Sequence, residues 1–184
     1  MVADLRASDA SKGVVTVRVR TAEGRTLSTT SRTVAWFGKD ADAWYGAARI
    51  DGRRGAELVV GQQMGAHSTS FRVLTYRHGS LVTLRAPKAP ARTGRVDDTT
   101  TWFTDAALNF HDGYTRSRSK GAVFVNLTTA QRNASGKGHS GWTARYRWSH
   151  GGWHLVLVTR VRYATDAGVT HAGGWHVAGL PLFE

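Results

Sequence analysis

The chain has 184 residues, 41% apolar and 21% charged, which is a globular composition and excludes disorder throughout. Three Pro and no Cys exclude Pro-rich and collagen-like chains, disulfide scaffolds and thiolate metal sites. Lys and Arg number 25 against 13 acids, so the net charge is +12, which points to anionic partners or to a basic solvated surface.

The N-terminus, Met1 to Leu5, has no basic segment followed by an apolar stretch, and no run of about 20 apolar residues predicts a membrane-spanning helix. Gly13 to Arg20 alternates: Val15, Val17 and Val19 fall on one face, Thr16, Arg18 and Arg20 on the other, as in a half-buried strand. Glu23-Gly24 reads as a hairpin turn. Asp40 to Ala48 is the best helical stretch, although Gly46 interrupts it. His78-Gly79 is a second hairpin turn, before the strand Leu81 to Leu84. Pro87 to Thr101 reads as an exposed loop joining possible halves 1–86 and 102–184 of one domain spanning 1–184. Thr104 to Leu108 could form one helical turn, with Thr104 as its cap. Ala122 to Leu127 is a strand, and Ala130 to Gly141 reads as a second exposed loop. Trp142, Ala144, Tyr146 and Trp148 alternate with Thr143, Arg145 and Arg147. His150-Gly151 turns this strand into Trp153 to Arg162, a β-branched run. The expected fold is all-β and antiparallel, built from propeller-like units of about 45 residues. A two-sheet sandwich is the alternative.

Laid at an offset of about 45 residues, Val2 to Leu5 with Gly13 to Val17 matches Ala47 to Ile50 with Glu57 to Gly61. A vaguer copy runs from Ala106 to Val125. The stretch Ala48 to Gly61, with Asp51-Gly52 followed by Leu58-Val59-Val60-Gly61, resembles the FG-GAP or VCBS-type repeat of secreted bacterial proteins. The resemblance implies a β-repeat element, export to the medium or cell surface, and a loop whose oxygens would bind calcium. Asp51 matches its first ligand and Glu57 stands at its end. Arg53 and Arg54 occupy places where further oxygen ligands would sit, which predicts a loop without calcium.

Other motifs carry little chemistry. His150, His154, His171 and His176 flank two Gly-Gly-Trp-His units. The bland account is that Gly-Gly turns, Trp buries and His faces solvent, since no carboxylate completes a metal set. His111-Asp112 would suit an oriented general base in a loop, whereas on a strand the two side chains point to opposite faces. No P-loop, dinucleotide fingerprint or HExxH motif is encoded, so neither a cofactor nor a metal is expected.

Of the 25 cations, 20 are Arg; a GC-rich bacterial genome accounts for that bias, and guanidinium forks also suit anions. Trp142, Trp148 and Trp153 lie in strand pattern and are expected in the core, whereas Trp36, Trp44 and Trp102 lie beside predicted loops. The candidate ligand-binding residues are therefore Trp36, Trp44 and Tyr45 with Arg145 and Arg147. The function expected is an exported, non-enzymatic binding or structural module for a polyanion or envelope glycan. The alternatives are a nucleic-acid-binding domain and a hydrolase using His111.

Overall fold

The computed structural model describes residues 2–8, 14–32, 43–90 and 101–181, with backbone alone at 2–8. The described residues are all-β and predominantly antiparallel, with no closed barrel. Strands β1 (Val2–Ser8), β2 (Val14–Arg20) and β3 (Thr26–Arg32) form a three-stranded meander. A second, ten-stranded sheet holds β4 (Trp44–Ala48), β5 (Glu57–Met64), β6 (Ser68–Arg77), β7 (Ser80–Leu84), β8 (Trp102–Ala107) and β9 (Phe110–Ser119). It continues through β10 (Ala122–Arg132), β11 (His139–Ser149), β12 (Gly152–Tyr163) and β13 (Gly174–His176). Two sheets, rather than four separate blades, agree with the sandwich alternative. β13 pairs with β9 in parallel, the exception to the antiparallel rule among the described residues.

β8 folds the long sheet over itself. Its first half pairs with β6 (Phe71 opposite Trp102) and its second half with β9 (Ala107 opposite Phe110). The leaf β4–β7 thus packs on the leaf β9–β12. Phe71, Val73 and Leu84 meet Trp102, Tyr114, Val125, Leu127, Tyr146 and Trp175 in the main core. Burying side chains of this size, each worth about 1.5–3 kcal/mol, is what drives the two leaves together. The opposite face of β5–β6, with Leu58, Val60 and Leu74, packs on Val15, Val17 and Val19 of the meander. β5 is therefore covered on both sides, and its Leu58-Val59-Val60 run is the continuous apolar pattern such strands carry.

The predicted turns are present at His78-Gly79 and His150-Gly151, with φ of 48° and 83° at the first and 50° and 79° at the second. Two successive positive φ values make the mirror-image turn whose twist matches that of flanking strands. Lys120-Gly121 repeats it between β9 and β10.

Several expectations are corrected. Asp40 to Ala48 is not a helix where described, because Trp44–Ala48 is strand β4. Thr104 to Leu108 is strand and turn. Residues 130–132 and 139–141 belong to strands, so the loop shrinks to 133–138. Ala86, Pro87 and Ala89 are buried, while 91–100 lie outside the described residues. The one α-helix described, α1 (Asp166–Val169), runs into a 3₁₀ turn at Thr170–Ala172 and was not anticipated; Thr165 caps it by accepting from the Gly168 N–H.

Candidate anion-binding cleft

The Asp51 loop is closed by the protein's own cation. Asp51 and Glu57 are buried, and the Arg77 guanidinium from β6 pairs with Asp51 Oδ2 and lies 3.6 Å from Glu57 Oε1. Glu57 also accepts from the Ile50 N–H at 2.7 Å and the Thr75 hydroxyl at 3.1 Å, while Asp51 accepts from the Arg53 N–H at 2.8 Å. Burial, with the Asp51 charge beside it, pushes the Glu57 carboxyl above its ordinary range, against the two hydrogen bonds it accepts. Arg53 and Arg54, expected to oppose a metal ion, are exposed instead. The opposing charge comes from 26 residues away.

His111 and Asp112 lie on β9, and their side chains diverge as a strand requires. Asp112 accepts from the Thr129 hydroxyl at 2.6 Å. The His111 ring instead meets the His139 ring edge-on, 5.1 Å between centroids. His139 Nε2 donates to the Leu108 carbonyl at 3.0 Å, and its Nδ1 lies 3.7 Å from Asp166 Oδ1. Burial and the neighbouring His139 pull His111 below its ordinary value of 6.5, with Asp105 and Asp166 pulling the other way. The pair sits beneath the chain segment that packs Val169 and Ala172 onto Ala130. With exposures of 7% and 1%, the two rings are buried against that segment, and His139 also borders the cleft described below. An oriented His111–Asp112 base is not formed.

Four further histidines form two local pairs. The rings of His150 and His154 are 6.2 Å apart, those of His171 and His176 5.8 Å. Among the described residues no three His, Asp or Glu side chains converge as a metal site.

A cleft of about 510 Å³ opens where the 133–138 loop meets the end of β12. Lys137, Arg160 and Arg162 line it with Asn133, His139, Ser140 and Tyr163, and no carboxylate is among the described residues that line it. A smaller groove of about 140 Å³ shares Ser140 and Arg160 and adds Phe110, Gln131 and Trp142. The loop wall is built rather than loose. Asn133 donates from Nδ2 to the Lys137 carbonyl at 2.7 Å and accepts from the Ser140 hydroxyl at 2.8 Å. Gly138, at φ +66°, passes so close to β12 that a Cβ would lie 2.3 Å from the Tyr163 carbonyl oxygen. Only glycine closes this turn without displacing the strand.

The structure distributes the predicted site residues differently. Tyr45 packs on Phe71, ring centroids 4.7 Å apart, and its hydroxyl donates to the Pro181 carbonyl. Trp44 packs against the Val15–Val17–Val19 cluster. Trp36 lies outside the described residues. Trp102, expected near the surface, is fully buried, whereas Trp142, expected in the core, is half-buried and lines the groove. Arg145 rests its guanidinium 3.9 Å above the Phe124 ring, and Arg147 is exposed. Their register puts both on the face of β11 opposite Ser140 and Trp142. Sequence reasoning passed over Lys137, Arg160 and Arg162 as a set; the alternating Thr159-Arg160-Val161-Arg162 was the available signal. No family model, curated protein or solved structure matches the chain.

Proposed function

We propose that this chain is a non-enzymatic binding module for anionic polysaccharides, acting outside the cell or at its surface. The observation that carries this reading is the cleft at Lys137, Arg160 and Arg162, where three cations face one opening with no carboxylate among the described residues that line it. Like charges held together repel, and an anion relieves that repulsion while guanidinium forks bind its oxygens two at a time. Asn133, Ser140, Gln131 and Tyr163 add donors and acceptors suited to sugar hydroxyls. The likeness of the Asp51 stretch to exported bacterial repeats supports the location.

A nucleic acid is the less favoured ligand. Sequence-independent strand binders stack bases on open aromatic faces. Among the described residues Tyr76 is the exposed aromatic, and it stands outside this cleft, while Trp142 is half-buried with Arg160 beside its ring at 5.9 Å. The test is retention on immobilised heparin with single-stranded DNA as competitor. Retention that fades with the logarithm of salt, and is lost in Lys137→Glu with Arg160→Glu and Arg162→Glu, agrees with the reading. Equal competition by DNA at equal charge would favour the nucleic-acid reading. No retention at low salt would overturn both.

A further inference from the structure

A second cationic opening lies at the far end of the same strand pair. It has a volume of about 540 Å³ and is lined by Arg85 and Lys88 with Thr83, Trp148 and Trp153, again without a carboxylate among the described residues that line it. Its frame is fixed by the core. Three aromatic side chains each donate to one short irregular stretch: Trp102 Nε1 to the Leu84 carbonyl at 2.8 Å, Trp153 Nε1 to the Arg85 carbonyl at 2.8 Å, and the Tyr146 hydroxyl to the Lys88 carbonyl. Ala86 and Pro87, between these anchors, and Ala89, just beyond them, are buried, while Arg85 and Lys88 are exposed. Cations presented on a pinned backbone lose little freedom on binding. The Trp148 and Trp153 rings meet edge-to-face, 5.0 Å between centroids, so the opening sets aromatic surface beside two charges.

Register places Trp148 and Trp153 of one opening on the same face as Ser140, Arg160 and Arg162 of the other. Trp148 pairs with Trp153, Tyr146 with Leu155, Ala144 with Val158, Trp142 with Arg160 and Ser140 with Arg162. Val156 is an extra residue at the irregularity beside Arg145 and Tyr146, so the inward set changes there from odd to even positions. Without that bulge Trp153 and Arg160, seven residues apart, would face opposite ways. Leu155 and Val158 occupy the same face between the two ends, Leu155 exposed and Val158 half-buried. At about 3.3 Å per residue the two openings stand about 25 Å apart along β12.

We propose that Arg85, Lys88, Trp148 and Trp153 form a second subsite, and that one extended anionic polysaccharide chain lies along β12 and occupies both. This rests on the reading of the Lys137–Arg160–Arg162 cleft given above, and it adds a length requirement. A chain long enough to span both ends gains from linkage, since its second contact is intramolecular. A short chain binds one end alone.

Heparin oligosaccharides shorter than the span, and others at least twice it, separate the alternatives by calorimetric titration with the intact chain. The expected result has three parts: the longer oligosaccharides bind at least about tenfold tighter per chain, Arg85→Glu with Lys88→Glu removes that gain, and binding of the short ones at the other cleft is retained. Both substituted side chains are exposed and the frame uses backbone carbonyls, so this variant keeps the fold; Arg147→Glu, on the opposite face, serves as the charge control. Long-chain affinity unchanged in the Arg85→Glu, Lys88→Glu variant would overturn the second subsite while leaving the first cleft standing. An equal loss in Arg147→Glu would also overturn it, by showing that net charge alone sets the affinity. Failure of every length to bind would overturn both.

Discussion

The Asp51 loop and the β12 end are both charged, and they are built in opposite ways. At Asp51 two buried carboxylates are matched by one guanidinium and by hydrogen bonds from Ile50, Arg53 and Thr75. The local sequence reads like an ion-binding loop, but the cation paired with Asp51 is the Arg77 guanidinium. At β12 three cations share an opening with no acid among the described residues that line it, although the local sequence reads like the outer face of an ordinary strand. A motif names the residue types; which charges remain to be answered by a ligand depends on partners distant in the chain.

The sharpest way to break this contrast is at Arg77. Arg77→Met leaves Asp51 and Glu57 buried without their cation, and the expected cost is about 3 kcal/mol in denaturant unfolding. A loss below about 0.5 kcal/mol would mean that the hydrogen bonds alone satisfy the pair. The complementary change is Arg160→Glu with Arg162→Glu. It is expected to weaken heparin binding by at least about tenfold while moving stability by no more than about 0.5 kcal/mol, because both side chains are exposed. Elution at unchanged salt would remove the cleft from the account.

A smaller effect is expected at His111. Its folded-state pKa is below the ordinary 6.5, so the folded protein favours the neutral ring. The associated stability is present above pH 6.5 and is lost as the pH falls through the lowered value. His111→Gln should therefore flatten the decline in Tm between about pH 7 and 5, and an unchanged slope would place the acid sensitivity elsewhere. The smallest effect is a null one: millimolar calcium should leave Tm unmoved, because Arg77 already holds the carboxylates. A rise of several degrees, abolished in Asp51→Ala, would show that the loop accepts the ion after all.

Much of the strand layout was legible because it depends on near neighbours. Val15, Val17 and Val19 alternate inward, and the polar-Gly pairs at 78–79 and 150–151 turn the chain where the local pattern demands. Trp102 was missed because it follows a run of threonines that reads as loop, while its burial comes from β6, Tyr114 and Trp175. Trp44–Ala48 reads as a broken helix until β5 supplies its ladder. The site was less legible than the fold. Arg160 and Arg162 look like solvated strand residues, and only the 133–138 loop and Lys137, folded back against Tyr163, turn that pattern into a cleft. Arg77 lies 26 residues beyond Asp51, a distance at which local spacing carries no information.

The extra residue at Val156 has a consequence for crowded solutions. β12 forms one border of its sheet, and Leu155, Val156 and Leu157 stand 48–55% exposed along it. An apolar border of that length invites a second copy to extend the ladder and begin an aggregate. The bulge interrupts the phase of donors and acceptors at its middle, so a straight incoming strand aligned on one side is out of step on the other. Arg160 and Arg162 add repulsion between like borders. Deletion of Val156 is expected to raise light scattering on storage at high concentration, and an unchanged signal would assign the protection to charge alone. A one-residue irregularity thus breaks the ladder that a second copy would extend.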